Sequence, residues 1–169
     1  MICIRKTDET DCPAVTELIN RAFRDVRHSE YLSLTEMCGS GYFYPELSLV
    51  AEVGDHVIVG HIYLIEILIG YTYPSLGLVQ VAVVPEFQGL GIGSLLVENA
   101  HQIAKELGYG SIISLGGKSF LRRFGYQSLS DFDIHYPCGI IKDGCFALEL
   151  HPGALSKTHG KVAFPMEYL

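Results

Sequence analysis

Between Val81 and Ser94 the chain reads Val-Ala-Val-Val-Pro-Glu-Phe-Gln-Gly-Leu-Gly-Ile-Gly-Ser, and the chemistry this order could do is anion binding. An apolar strand meets a proline stop, passes through a turn with glycines at alternate positions, Gly89, Gly91 and Gly93, and opens a helix. Glycines there let backbone N–H groups face outward with no side chain in the way. A helix start adds unpaired N–H groups and the positive end of the helix dipole. A pyrophosphate fits such a clamp.

The helix is well marked. From Ile92 the apolar positions Leu95, Leu96, Ala100, Ile103, Ala104 and Leu107 recur at helical spacing, with Glu98, Gln102, Lys105 and Glu106 mainly between them and Gly108 as a stop. Two nucleotide motifs can be tested against the turn. The dinucleotide fingerprint G-x-G-x-x-G needs a third glycine where the chain has Ser94 or Leu96, so that reading is weak. Gly117-Lys118-Ser119 ends like a P-loop, but the glycine required five residues earlier is Ile112, and the segment reads as a turn.

Gln88-Gly89-Leu90-Gly91-Ile92-Gly93 resembles the Arg/Gln-x-x-Gly-x-Gly/Ala signature of the GNAT superfamily of N-acetyltransferases. The preceding Val-Ala-Val-Val-Pro-Glu, the helix, the strand Gly110 to Leu115 and the later Ser-Phe-Leu-Arg-Arg-Phe-Gly-Tyr126 follow in that superfamily's order and spacing. More narrowly, Phe146-Ala-Leu-Glu-Leu-His-Pro-Gly-Ala-Leu155 resembles a poorly characterised bacterial branch of predicted acetyltransferases. The resemblance implies acetyl-CoA as co-substrate, with no metal, and direct transfer of an acetyl group to a primary amine of a small molecule or peptide. The clamp residues Gln88, Gly89, Leu90, Gly91, Ile92, Gly93 and Ser94 would hold the pyrophosphate. Val81, Ala82 and Val83 would pair with the pantetheine amides as though the cofactor were an added strand, on a strand that in the superfamily splays from its neighbour, here Ser111 to Leu115. Any buried strand would use the same three residues.

Composition bounds the rest. At 169 residues the chain is read as one domain, residues 1–169, with no linker, repeat or low-complexity tract. Its apolar fraction is 49%, which argues for a packed core. The net charge of −7 and the scattered Lys and Arg exclude an electrostatic footprint for nucleic acid and suit a cationic amine slightly. Five cysteines without C-x-x-C or His spacing read as small hydrophobes of a reducing compartment, the N-terminus lacks an apolar signal core, and a cytoplasmic enzyme is expected. The longest apolar run, Val57 to Ile69, is well short of the ~20 residues that cross a bilayer, so no membrane partner is expected. Dimers are common in families of this resemblance, which leaves a homodimer open.

Element by element, a strand over Ile2 to Arg5 precedes a helix with its N-cap at Thr10 or Asp11, Pro13 in its first turn, and Val15, Leu18, Ile19, Ala22 and Phe23 on one face. A less regular helix is expected over Ser29 to Cys38. A hairpin then joins Leu47–Val53 through Gly54-Asp55 to a central strand buried on both faces, Val57–Ile69. The cofactor strand is expected over Gly77 to Val84, followed by helix, strand, short helix and two strands. The fold class is α/β, implied by the resemblance to be a GNAT-type mixed, mostly antiparallel sheet flanked by helices.

Acyl transfer needs a neutral amine, a polarised thioester carbonyl and a protonated thiolate. A backbone N–H near Val81 could polarise the carbonyl without any side chain. Here the chain departs from better-known members: the frequent base falls at Gly77 and the frequent tyrosine acid at Leu121. The substitutes are Glu66, which interrupts an apolar strand, as base and Tyr126 as acid, although the first could emerge in solvent and the second could pack in the core. His61, His151 and His159 have weaker claims, and Tyr71 and Tyr73 could line a pocket or cover the sheet's end. The missing groups also keep open a non-catalytic acyl-CoA-binding or sensing module.

Overall fold

The structure, a computed structural model, describes residues 1–24, 44–115, 118–135 and 144–163. In chain order it contains β1 (Ile2–Lys6), α1 (Cys12–Ala22), β2 (Ser48–Val53), β3 (Val57–Ile69), β4 (Tyr73–Val83), α2 (Ile92–Glu106), β5 (Ser111–Leu115), α3 (Lys118–Arg122), β6 (Gln127–Ser128), β7 (Ile134–His135), β8 (Cys145–Glu149) and β9 (Gly160–Ala163). The helix expected over Ser29 to Cys38 lies outside the described residues.

Hydrogen-bonded strand neighbours run β1-β2-β3-β4-β5-β8-β6, with β9 beside β3 and β7. Strands β4–β5 and β7–β9 pair in parallel, while β1–β2, β2–β3, β3–β9, β5–β8 and β6–β8 are antiparallel. This is the mixed, mostly antiparallel sheet that was expected.

The backbone divides into two compact units, and β3 and β4 run through both. The first holds Met1–Ile65 and Gln80–Ile103. There β1 pairs with β2 from Ile2↔Val53 to Lys6↔Leu49, and β2 pairs with β3. Val59 to Ile65 of β3 form an unbroken buried run, as a strand covered on both faces requires. One covering element is α2: a Cβ on Gly60 would stand 3.0 Å from both Ile92 and Leu96 side chains, so glycine there permits helix and strand to approach closely. Helix α1 buries Val15, Leu18 and Ile19.

The start of α1 differs from expectation. Asp11 occupies the N-cap position without capping through its side chain; Asp8 caps a preceding 3-10 turn by accepting from Thr10 N–H. The Asp11 carboxylate is instead engaged by the Asp8 N–H and by a two-pronged contact from Arg5, at 2.7 and 3.0 Å. Arg5 also reaches Glu52 at 2.8 Å, which draws β1, β2 and the helix start together. Cys12 is disulfide-bonded, so the expectation that all five cysteines are small hydrophobes of a reducing compartment is corrected at Cys12.

The second unit holds Glu66–Val79 and the described residues from Ala104 onward. Its hairpin turns at Gly70 and Tyr71, both near φ 60°, with Thr72 N–H donating to the Ile69 carbonyl at 3.2 Å. β4 starts at Tyr73, four residues before the expected Gly77. Gly77 is a poor strand former, but its pairing with Ile113 and the bonds from Ser75 Oγ to Ser111 carry the strand through it. α2 stops as its sequence indicated: Gly108 takes φ 88°, its N–H bonds Lys105, and the Tyr109 N–H bonds Ala104. No helix among the described residues is long and apolar enough to cross a membrane.

Candidate functional site

Val81, Ala82 and Val83 end β4, and the first unit brings them together with Gln88 to Ser94. Burial alternates along this strand: Leu78, Gln80, Ala82 and Val84 are buried, whereas Val79, Val81 and Val83 are half-buried. Backbone groups alternate with the same period. The Val84 N–H donates to the Val59 carbonyl of β3 at 3.0 Å, so the even-numbered residues aim their backbone groups at β3 and the odd-numbered ones at the opposite edge. On that edge the ladder to β5 covers only Leu76↔Ile112, Gly77↔Ile113 and Leu78↔Ser114, while β4 continues to Val83. Among the described residues, Val81 and Val83 therefore present peptide groups to no strand. Ala82 differs from its neighbours, since its methyl turns into the core and its backbone toward β3.

After Val84 a 3-10 turn over Pro85–Phe87 leads into the glycines. Gly89 and Gly91 take φ 78° and 83°, and a Cβ on either would meet nothing within 4 Å. Their glycine is thus required by the backbone conformation, not by crowding. Gln88, Gly89, Leu90 and Gly91 are all exposed, with Leu90 at 63%. The Leu95 N–H bonds the Gly91 carbonyl at 3.1 Å and opens the helical ladder. Ile92, Gly93 and Ser94 thus supply helix-start N–H groups with no partner inside the helix. The Ile92 side chain is only 1% exposed and anchors this end of α2 in the core. No Lys or Arg stands between Gln88 and Ser94, so an anion here would be held by N–H groups and the helix dipole. Beside the exit of β4 a cleft of about 380 Å³ is lined by Arg21, Arg24, Pro85 and Glu86, with Arg21 and Glu86 ion-paired.

Within the first unit a polar row crosses four neighbouring strands or their ends. Thr7 and Ser48 hydroxyls lie 2.7 Å apart, Ser48 Oγ is 2.9 Å from His61 Nε2, and the Gln80 side-chain amide is 3.2 Å from His61 Nδ1. His61 is fully buried, and desolvation pulls its pKa down to about 3 against a smaller opposing pull from the Asp11 carboxylate. The neutral ring accepts from the Gln80 amide at Nδ1 and donates from Nε2 to Ser48. His61 is thus a core residue. Gln80, absent from the sequence-based candidates, carries one signal in the chain, a lone amide in the apolar run Leu78 to Val84.

The acid–base candidates lie in the second unit. Glu66 is exposed, and the Tyr109 hydroxyl donates to its carboxylate. Tyr126 is 4% exposed, and burial pushes its phenol well above the ordinary tyrosine range. Such a phenol is a weak proton donor toward a thiolate. Gly77 and Leu121, the positions of the superfamily's usual base and acid, are buried. Tyr71 is exposed at the hairpin turn, Tyr73 packs edge-on against the His159 ring with centroids 5.9 Å apart, and His151 is exposed. Among the described residues no three His, Cys, Asp or Glu side chains cluster so as to hold a metal.

The chain is 24% identical over 132 residues to the uncharacterized N-acetyltransferase YhbS of Escherichia coli K12, covering 78% of this chain and 77% of that protein. The crystal structure of Escherichia coli YhbS in complex with CoA superimposes with a TM-score of 0.89 at 22% identity, over 99% of this chain and 91% of that one. A GNAT family acetyltransferase of Brucella melitensis, solved with acetyl-CoA, gives a TM-score of 0.78 at 28% identity over 100% and 99% of the two chains. The model of the acetyltransferase (GNAT) family matches residues 12–126, spanning the strand, the glycine turn and the Gly-Tyr ending, and the chain belongs to that family.

Proposed function

We propose that this protein is an acetyl-CoA-dependent N-acetyltransferase that transfers the acetyl group directly to a primary amine of a small molecule or peptide. The observation that carries this reading is the continuity of donors and acceptors in the first unit: a β4 edge that β5 leaves uncovered at Val81 and Val83 leads into a glycine turn and a helix start. The CoA and acetyl-CoA bound by the Escherichia coli and Brucella melitensis relatives support it.

Bound acetyl-CoA supplies an activated thioester. Val81 and Val83 bind its pantetheine amides, and the N–H groups from Gly89 to Ser94 hold its pyrophosphate. A β4-edge N–H polarises the thioester carbonyl. Glu66 is the base in this proposal, with its carboxylate oriented by Tyr109: it takes the amine proton as the N–C bond forms and the thioester C–S bond breaks, and the leaving coenzyme A thiolate takes its proton from solvent. Acetyl-CoA at ~100 times its dissociation constant is expected to raise stability by about 2.7 kcal/mol, read as a thermal shift. Absence of calorimetric binding at millimolar cofactor would sink the reading.

One observation favours a second reading, a non-catalytic acyl-CoA-binding module: Gly77 and Leu121 leave the usual acid–base positions without titratable groups. Thiol release over a broad panel of amines separates the two. Turnover with any amine removes the sensor reading, and tight binding without turnover favours it.

A further inference from the structure

β4 carries a register problem that its apolar residues do not solve. From Leu78 to Val84 it reads Leu-Val-Gln-Val-Ala-Val-Val, apolar on both faces apart from one amide. A one-residue slip would exchange Val79, Val81 and Val83 for Leu78, Ala82 and Val84 at little hydrophobic cost, because side chains of similar kind occupy both sets of positions. That slip would also turn the backbone groups of Val81 and Val83 from the open edge toward β3. Gln80 is the residue in this stretch whose displacement has a large penalty. It is 5% exposed, and its amide reaches Nδ1 of His61, itself held through Nε2 by Ser48 and through Ser48 by Thr7.

Stability alone does not account for this amide. Its Oε1 is buried with no hydrogen-bond partner among the described residues, a cost that an apolar side chain of the same length would avoid. A buried polar group kept at a net cost and linked to a row across adjacent strands behaves as a specificity device: it defines one arrangement among several of similar packing energy. We propose that Gln80 is a positioning residue for acyl-CoA binding, locking the register of β4 against His61 so that the peptide groups of Val81 and Val83 face the open edge. The proposal rests on the acyl-CoA reading of the site. It adds that a side chain on the buried face decides which peptide groups the cofactor meets.

The test pairs calorimetry with amide hydrogen exchange on the full chain, with and without Gln80→Met. In the wild type without cofactor, the Val81 N–H is expected to exchange at least tenfold faster than the Ala82 N–H, which faces β3. In Gln80→Met this contrast collapses below threefold, and acetyl-CoA binds at least tenfold more weakly. The Asp8→Ala variant, which loses the cap before α1, is expected to lower stability while keeping affinity within twofold. A contrast unchanged in Gln80→Met overturns the proposal whatever the affinity does, and so does an affinity within twofold of wild type. If Gln80→Met does not fold because His61 Nδ1 is left unpaired, the paired variant His61→Leu with Gln80→Met removes that stranded nitrogen and is read in the same way. A wild-type protein that binds no acetyl-CoA refutes the cofactor reading, while the exchange contrast still decides the claim about register.

Discussion

The side-chain amide of Gln88 donates to the carbonyl oxygen of Val83 at 2.9 Å, tying the glycine turn back to the last residue of β4. Val83 lies on the edge that β5 leaves unpaired, so Gln88 caps one of that edge's acceptors from outside the strand. The bond also fixes where the turn sits relative to Val81. In the proposed site, turn and strand edge address one extended ligand as a single unit.

Gln88→Ala is expected to weaken acetyl-CoA binding about fivefold, the equivalent of about 1 kcal/mol for one hydrogen bond, with little change in thermal stability because the residue is exposed. Calorimetric titration of the variant against wild type checks this. An unchanged dissociation constant would show that the turn holds its position without the tie.

Gly89→Ala and Gly91→Ala should act through the backbone alone. Both residues sit at positive φ with open space where a Cβ would go, so each substitution costs about 1–2 kcal/mol of conformational strain and moves the N–H groups of the clamp. Acetyl-CoA affinity is expected to fall at least tenfold in each. Gly60→Ala is the opposite case: its Cβ would press on Ile92 and Leu96, so about 1–3 kcal/mol of stability should be lost through overpacking, visible in urea denaturation.

His61 predicts a specific acid limb of stability. Its folded pKa is lowered from 6.5 to about 3, so the unfolded chain takes up a proton that the folded chain refuses. Stability therefore falls as the pH drops below about 6.5, by about 1.4 kcal/mol per pH unit once the unfolded imidazole is charged, until the folded ring titrates near 3. Asp11 and Glu52, both held below their ordinary range by Arg5, contribute at lower pH. Denaturant midpoints measured from pH 7 to pH 4 should show this slope in the wild type and lose it in His61→Leu.

The two acid–base candidates should separate by readout. Glu66→Gln is expected to lower kcat about a hundredfold while acetyl-CoA affinity stays within twofold, as for loss of a general base. Tyr126→Phe is expected to cost about 1 kcal/mol of stability with kcat within threefold of wild type, since a buried phenol with a raised pKa serves packing better than proton donation. Steady-state thiol release, with thermal melts of the same samples, checks both. An unchanged kcat in Glu66→Gln removes it as the base.

Much of the glycine turn and its helix was legible in the sequence because the physics there is local. Gly89 and Gly91 need positive φ wherever they are folded, α2 announces itself by period, and Gly108 stops it by its own conformation. The same locality explains what went unread. Gln80 and His61 are separated by nineteen residues, and neither has meaning until β3 and β4 lie side by side. The start of β4 was misplaced because Gly77 looks like a break in isolation and is overruled by its pairing with Ile113.

The resemblance to the family rests on a contiguous signature, and the glycine turn, its helix and the expectation of a pyrophosphate there follow from backbone preferences within a few residues, so all were readable from the linear chain. Only the tertiary structure decided that Val81 and Val83 face an unpaired edge while Ala82 faces β3, that His61 is a neutral core imidazole, and that Tyr126 is too buried to be a ready acid. Strand pairing and desolvation depend on distant segments, and a linear pattern apolar on both faces does not encode which way its peptide groups will turn.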